Sequence, residues 1–226
     1  MRTIAIGDVH GQLAALTELF TLIEQSGWDR LVFLGDYIDR GPDSKGTIDF
    51  IRSLQDLHDK DKVVAIKGNH EDMCLHAFEQ YDVNDHELGA DFYYNGGDTA
   101  LESFKVECFN YRNKEWETKR DIPQDYLDWM KALPVRYEDE NAHYIHGGAL
   151  PGLPIDEQAD YDLLWERDTF LKSEYMWDKV VIHGHTPMKQ VVERPNIISI
   201  DTGAGYGDTL SAICVETKEI MQVDVP

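Results

Sequence analysis

Three short apolar segments near the N-terminus each end in a glycine that is followed by acidic, amide or imidazole side chains. The segments read TIAIGDVHG, RLVFLGDYIDRG and VVAIKGNHE. Between them, apolar residues recur at the spacing of one helix face, first at Leu13, Leu16, Phe20 and Ile23 and then at Ile48, Ile51 and Leu54. This alternation predicts a βαβαβ unit with polar side chains at the strand ends, which is where sites form in layered α/β folds.

The last seventy or so residues contain further short apolar segments, namely HYIHG, KVVIHG, NIISID, LSAICVE and EIMQVDV. Their connections look brief, so we expect a second, more antiparallel sheet. Two sheets in one domain would pack face to face, with helices outside. Because the chain is long enough for one sizeable core and has no linker-like stretch, residues 1–226 are expected to form a single domain.

The middle of the chain, from Glu71 to Glu140, is less regular. It begins with a helical pattern at Met73, Leu75, Phe78 and Tyr81 and then becomes polar and aromatic. We expect helices and loops that lie over one end of the sheets.

The formal net charge of −22 limits the possible partners. So acidic a surface repels nucleic acid and anionic membranes, and neither is expected as a partner. An anionic substrate would need a local positive centre, which a bound metal could supply. No apolar run approaches membrane-spanning length and no signal-peptide pattern is present, so a cytoplasmic location is expected. A monomer is the default expectation, and Cys74, Cys108 and Cys214 are expected to be free thiols.

Imidazoles follow two of the late strands. His146 stands in YIHGG, and His183 and His185 stand in VIHGHTP. Any one of the five polar clusters could be an ordinary turn or a helix cap. Five of them at strand ends favour one shared site.

The set GDxHG, GDxxDRG, GNHE, a histidine after a strand, and GHT resembles the phosphoprotein phosphatase family of the calcineurin-like metallophosphoesterases. The motifs span residues 7–187, and the length is most similar to the small bacterial and phage serine/threonine protein phosphatases. The resemblance implies an α/β (α+β) fold: a four-layer αββα sandwich of two mixed β-sheets flanked by helices, with a dinuclear metal site at one sheet edge.

The resemblance also implies two divalent metal ions. The first would be held by Asp8, His10 and Asp36, and the second by the bridging Asp36 with Asn69, His146 and His185. Imidazole and carboxylate suit first-row ions, and we expect Mn²⁺, with iron and zinc as alternatives. Since only Asp8 and Asp36 are anionic, two divalent ions would leave the site net positive.

Phosphate binding is implied for Arg40 and Arg167, together with Asn69. A planar guanidinium contacts two phosphate oxygens at once, although a surface salt bridge is the other reading of each arginine. His70 and Asp39 match the proton-donor pair of the family, and the alternative for this pair is a hydrogen bond that holds two loops together.

Two residues stand apart from the family pattern. Lys67 precedes GNHE where protein phosphatases commonly have arginine, so a phosphate contact there would be weaker or absent. His183 has the same strand phase as His185, and we expect it to pack behind the ligands and not to bind metal.

Three functions remain open. The first is hydrolysis of phosphoserine and phosphothreonine in proteins, with phosphotyrosine a further candidate, by attack of a metal-bridging hydroxide. The second is hydrolysis of a dinucleoside tetraphosphate or a related phosphoanhydride, because bacterial relatives with that activity share every motif. The third is a non-catalytic scaffold, which the intact ligand set disfavours. The expected partner is a phosphorylated protein or a small phosphate ester.

Overall fold

The computed structural model describes residues 1–59, 61–79, 91–106 and 122–226. The strands in this part are β1 (Thr3–Ile6), β2 (Arg30–Phe33), β3 (Val63–Ala65), β4 (Arg136–Glu138), β5 (Ala142–Ile145), β6 (Val180–His183), β7 (Val192–Glu193), β8 (Ile197–Ser199), β9 (Thr209–Cys214) and β10 (Ile220–Asp224). The α-helices are α1 (Leu13–Ser26), α2 (Ser44–Leu57), α3 (Asn69–Glu79), α4 (Asp98–Ser103), α5 (Gln124–Ala132), α6 (Asp160–Trp165) and α7 (Asp168–Lys172).

The strands form two mixed sheets. The first has the order β10-β9-β1-β2-β3, in which β1, β2 and β3 run parallel and β9 and β10 are antiparallel. The second has the order β4-β5-β6-β8-β7, in which β5, β6 and β8 run parallel and both edge strands are antiparallel. The predicted βαβαβ unit is confirmed, as are the two mixed sheets.

Side-chain alternation along the strands builds four layers. Ala5 and Val32 of the first sheet share a buried cluster with Tyr144 and Ile182 of the second, so the two sheets pack face to face. The alternate residues of the first sheet, such as Ile4, pack against the helix layer around α1 and α2.

The outer face of the second sheet is covered by a separate apolar cluster. Ile145 and Val181 pack there against Leu163 of α6 and Phe170 of α7. Each sheet therefore has helices on its outer face, and the αββα sandwich is confirmed.

The prediction for the second sheet is wrong in two respects, namely its strand membership and its strand directions. The segments LSAICVE and EIMQVDV form β9 and β10, which join the first sheet, where Ile4 pairs with Cys214. The centre of the second sheet is parallel, and residues 146–179 make the long crossover that a parallel pair such as β5 and β6 needs. A strand pattern shows that a segment is extended and half-buried, but it does not show which strand it pairs with.

The described parts of the middle segment join the helix layer of the first sheet. Met73, Leu101, Tyr126 and Met130 belong to the same buried cluster as Ile4, so these helices cover the outer face of that sheet, whereas we expected them over one end of the sheets. Tyr81 lies outside the described residues.

The described cysteines agree with the expectation. Cys74 and Cys214 are free and buried, while Cys108 lies outside the described residues. Among the helices that the structure describes, none combines the length and the apolar character needed to cross a lipid bilayer.

Candidate active site

All ten predicted site residues lie on segments that follow strands, most of them at one edge of the two sheets. Eight are buried and Arg40 is half-buried, whereas Arg167 is exposed. The segments after β1, β2 and β3 of the first sheet, and after β5 and β6 of the second, supply Asp8, His10, Asp36, Asp39, Arg40, Asn69, His70, His146, Arg167 and His185.

The backbone around the site is strained. His10, Asp36, Asp39, Arg40 and His185 all have positive φ, between 46° and 72°. Side chains other than glycine rarely adopt this left-handed conformation, and such residues cluster at functional sites. The local geometry is held by tertiary hydrogen bonds.

Asp36 lies at the centre of the cluster. Its Oδ2 is 3.4 Å from His10 Nε2, and its Oδ1 is 3.3 Å from His146 Nε2. Burial alone would raise the pKa of this carboxyl, but the facing imidazoles of His146 and His70 outweigh it and hold the pKa well below its usual range. Asp36 is therefore a buried carboxylate that faces imidazoles on two sides.

A second group of ligand-type atoms meets on the other side of Asp36. Asn69 Oδ1 is 2.8 Å from His146 Nε2 and 2.8 Å from His185 Nδ1, and these two ring nitrogens are 3.1 Å apart. One amide oxygen and two ring nitrogens therefore converge at one point.

Backbone carbonyls orient two of the imidazoles. His10 Nδ1 lies 2.9 Å from the carbonyl oxygen of Ile38, and His146 Nδ1 lies 2.8 Å from that of Leu34. With an N–H donated to each carbonyl, the Nε2 atom is directed into the site, which is the arrangement typical of metal-binding histidines.

These residues fit a pair of metal ions. His10, Asp36 and His70 form one group in which single ligand atoms lie within 4.8 Å of one another, and Asp36, His146 and His185 form another. Asp36 belongs to both groups, as a bridging carboxylate would. The first group contains His70 where the sequence-based set has Asp8.

Asp8 also has the features of a ligand. Its Oδ2 accepts a hydrogen bond of 2.8 Å from His185 N–H, while its buried Oδ1 has no hydrogen-bond partner in the described part of the chain. A Cβ at Gly184 would overlap this Oδ1, and one at Gly68 would overlap Oδ1 of Asp36. Glycine is therefore required where the backbone passes the carboxylates.

The protonation states of three histidines bear on metal binding. Burial lowers the pKa of His10 to about 4 and that of His185 to about 2, so both are neutral and able to act as ligands at pH 7. Burial opposes the charge on His146, but Asp36 raises its pKa to about 10. A metal would have to displace that proton.

His70 and Asp39 form a tight buried pair. His70 Nδ1 is 2.6 Å from Asp39 Oδ2, and the Nε2 atom of the same ring lies 3.9 Å from Asp36 Oδ2. Burial lowers the pKa of His70 well below its usual value and raises that of Asp39 well above it, because neither charged form is hydrated there.

The two arginines contact different histidines of the cluster. Arg40 Nη1 is 2.7 Å from His10 Nε2, and Arg40 Nη2 is 3.0 Å from His70 Nε2. Arg167 donates from Nε to His185 Nε2 at 2.6 Å. Both guanidinium groups thus lie at the cluster, including that of Arg167, for which a surface salt bridge was the alternative. A metal bound to His10 Nε2 would require Arg40 to give up its hydrogen bond to that nitrogen.

Glu71 is the glutamate of the GNHE motif, and the sequence predicts no role for it. Its carboxylate accepts hydrogen bonds of 2.8–2.9 Å from the N–H groups of Asp36, Tyr37 and Gly68, and burial raises its pKa to about 7. It therefore joins the loop after β2 to the start of α3. The only sequence signal was its position within the motif.

Other residues near the site have structural contacts. His183 is buried, and its Nε2 lies 2.6 Å from Ser199 Oγ, which agrees with packing behind the ligands. The exposed ring of Tyr206, which the sequence did not suggest, lies 4.6 Å from the guanidinium carbon of Arg40. The backbone N–H of Lys67 donates to the carbonyl oxygen of Pro134.

Known proteins share this sequence pattern and fold. The family model of the calcineurin-like phosphoesterases matches residues 1–217. An asymmetrical bis(5'-nucleosyl)-tetraphosphatase PrpE from Oceanobacillus iheyensis is 27% identical and is aligned over 99% of this chain and 92% of its own. Serine/threonine-protein phosphatase 1 of Salmonella typhimurium is also 27% identical, over 91% of this chain and 88% of its own.

A solved structure supports the same fold. The crystal structure of a candidate diadenosine tetraphosphatase matches with a TM-score of 0.70 at 22% identity, covering 99% of this chain and 93% of that one. Since the family model spans nearly the whole sequence and the ligand-type residues meet at one sheet edge, the chain belongs to the calcineurin-like phosphoesterase family and is a metallophosphoesterase.

Proposed function

We propose that this protein is a metal-dependent phosphomonoesterase that removes phosphate from phosphoserine and phosphothreonine, and also from phosphotyrosine, in proteins. The observation that carries the proposal is the buried His70–Asp39 pair beside Asp36. An alkoxide is a poor leaving group and needs a proton donor, whereas the phosphate leaving group of a phosphoanhydride needs little help. A positioned imidazole therefore supplies the proton that hydrolysis of an alcohol's phosphate ester needs.

The metal ligands in this proposal are Asp8, His10, Asp36, Asn69, His146 and His185. Two divalent ions held there would activate a water molecule and neutralise charge on the phosphoryl oxygens. Manganese is the ion we propose, and metal analysis of protein purified without added metal tests it. A monomeric state and a cytoplasmic location stay predictions.

The arginines and the histidine pair would act on the substrate directly. Arg40 and Arg167 would bind phosphoryl oxygens from two sides, with Asn69 next to them, since a guanidinium is planar and permanently charged. His70 would protonate the leaving oxygen through Nε2. Asp39 would keep the ring oriented through Nδ1 and favour its charged form.

Hydrolysis of a dinucleoside tetraphosphate is the second candidate. The observation that favours it is the Oceanobacillus iheyensis relative, a bis(5'-nucleosyl)-tetraphosphatase. This relative matches almost the whole chain at the same identity as the Salmonella typhimurium phosphatase.

A direct rate comparison tests the proposal. Phosphoserine, phosphothreonine and phosphotyrosine peptides and diadenosine tetraphosphate are supplied to the same preparation with Mn²⁺, and kcat/KM is measured for each. We expect the peptides to be preferred. A decisive preference for the tetraphosphate would overturn the proposal, and Asp36→Asn is the control for contaminating phosphatases.

A further inference from the structure

A groove of about 510 Å³ adjoins the candidate active site. Its lining includes Asp72, His76, Asp91, Tyr161 and Trp165. None of these residues has a role in the site described above. The groove is formed by α3, the chain before α4, and α6.

The groove touches the site through two elements. The Trp165 ring meets the His185 ring edge-on, with centroids 6.1 Å apart. Asp72 follows Asn69 by three residues on α3, which is a rise of about 5 Å along the helix. A substrate whose phosphate is bound at the site would therefore bring its neighbouring residues close to this groove.

The groove offers an aromatic face. Tyr161 is stacked on Trp165, with centroids 6.3 Å apart and an angle of 24° between the rings, and it remains 70% exposed. A large ring that is both stacked and exposed presents its π face to solvent. Such a face binds a guanidinium or an ammonium group.

The groove also offers negative charge. Asp72 and Asp91 are among its lining residues, and His76 Nδ1 donates to the backbone carbonyl of Asp72 at 2.8 Å and lies 3.5 Å from Asp72 Oδ2. A groove lined by an exposed aromatic ring and two acidic residues is complementary to a cationic side chain. The same carboxylates repel a polyphosphate chain, which would bring several negative charges to this place.

We propose that this groove binds a lysine or arginine side chain close to the phosphorylated residue of a protein substrate. This inference rests on the proposed phosphomonoesterase function and names the class of substrate that the enzyme prefers. Tyr161 contacts the cation through its ring, and Asp72 and Asp91 neutralise its charge.

Matched phosphothreonine peptides test the proposal. One arginine is placed in turn at each position near the phosphothreonine, and the reference peptide has glutamine there. The measured quantity is the ratio of kcat/KM for the arginine peptide to that for the glutamine peptide. For the wild type we expect a ratio of roughly 5 to 20 at the best position, from one cation–π contact and partly screened ion pairs.

The variants locate the effect. In the double variant Asp72→Asn/Asp91→Asn the ratio should fall towards one, and in Tyr161→Leu it should fall by roughly half or more. The control Asp56→Asn/Asp59→Asn removes the same charge at the opposite end of α2 from the site and should keep the wild-type ratio. Because each ratio is taken within one variant, general losses of activity cancel.

Three results would contradict the proposal in distinguishable ways. Equal kcat/KM for the two peptides in the wild type overturns the groove assignment and leaves the phosphomonoesterase standing. If the Asp72→Asn/Asp91→Asn variant still prefers the arginine peptide, another surface binds the cation. Hydrolysis of diadenosine tetraphosphate with no turnover of any phosphopeptide overturns the proposed function itself, and a Tyr161→Leu loss on that substrate would make a nucleobase the occupant.

Discussion

The variant His70→Asn distinguishes between two roles of His70, that of a proton donor and that of a metal ligand. If Nε2 of His70 protonates the leaving oxygen, its loss costs most where that oxygen is an alkoxide. Removing a positioned acid costs about 100- to 10,000-fold. That range corresponds to roughly 2.7–5.5 kcal/mol, since each factor of ten is about 1.36 kcal/mol. We expect this loss on a phosphoserine peptide.

An activated aryl phosphate provides the contrast. p-Nitrophenolate leaves without a proton, so His70→Asn should lose less than about tenfold on p-nitrophenyl phosphate. The assay is kcat/KM on both substrates, with metal content measured on the same preparations. The ratio of the two losses is the quantity that identifies an acid.

Asp39→Asn should give the same pattern more weakly. His70 Nδ1 lies 2.6 Å from Asp39 Oδ2, and asparagine can keep this hydrogen bond while removing the carboxylate that would stabilise the charged ring. Asp36 still faces His70, so only part of the proton-donor contribution is lost, and about 10- to 100-fold is expected on phosphoserine. The pKa of His70 should fall, and the rate optimum should move to lower pH.

Two outcomes would refute the reasoning. Equal losses on both substrates with unchanged metal content would mean that His70 holds phosphate or structure. A fall in metal content in His70→Asn would make His70 a ligand, as its grouping with His10 and Asp36 allows.

The remaining predictions concern the bridging carboxylate, the arginines and a buried imidazole. Asp36→Asn should lower metal content and abolish phosphate release, because Asp36 is the carboxylate common to both ligand groups; full activity of chelator-treated wild type would contradict this. Arg40→Ala and Arg167→Ala should keep the metals but each reduce kcat/KM by roughly 2–4 kcal/mol of transition-state stabilisation; wild-type kinetics for Arg167→Ala would place that side chain on the surface. Burial lowers the pKa of His183 to about 3, so the unfolded chain binds the proton more tightly than the folded chain. The contribution of His183 to the free energy of unfolding is therefore complete above about pH 6.5 and is lost as the pH falls towards 3. In urea unfolding of metal-free protein, His183→Gln should therefore lose about 2 kcal/mol less than wild type between pH 7 and pH 5; parallel pH profiles would show that His183 is not the group responsible.

The sequence alone determined the local features. The apolar periods of β1, α1 and β2 depend on the side chains of consecutive residues, so the βαβαβ unit could be predicted from the pattern. The polar clusters could be located in the same way, and the family resemblance then named the ligand-type residues among them. Asp8, Asp36 and His146 each stand within three residues of a strand end, and the strand end is a property of the local sequence.

The tertiary structure alone decided which strands pair and which side chains meet. The pattern of LSAICVE fits an antiparallel strand in either sheet, and only packing beside β1 places it in the first. Glu71 contacts the loop after β2, and His70 lies beside both Asp39 and Asp36, because tertiary folding brings together segments that are about 30 residues apart in the chain. The groove between Asp72 and Tyr161 joins even more distant segments. Periodicity reports the environment of each segment, whereas pairing and convergence depend on the free energy of the whole packed chain, which no single segment encodes.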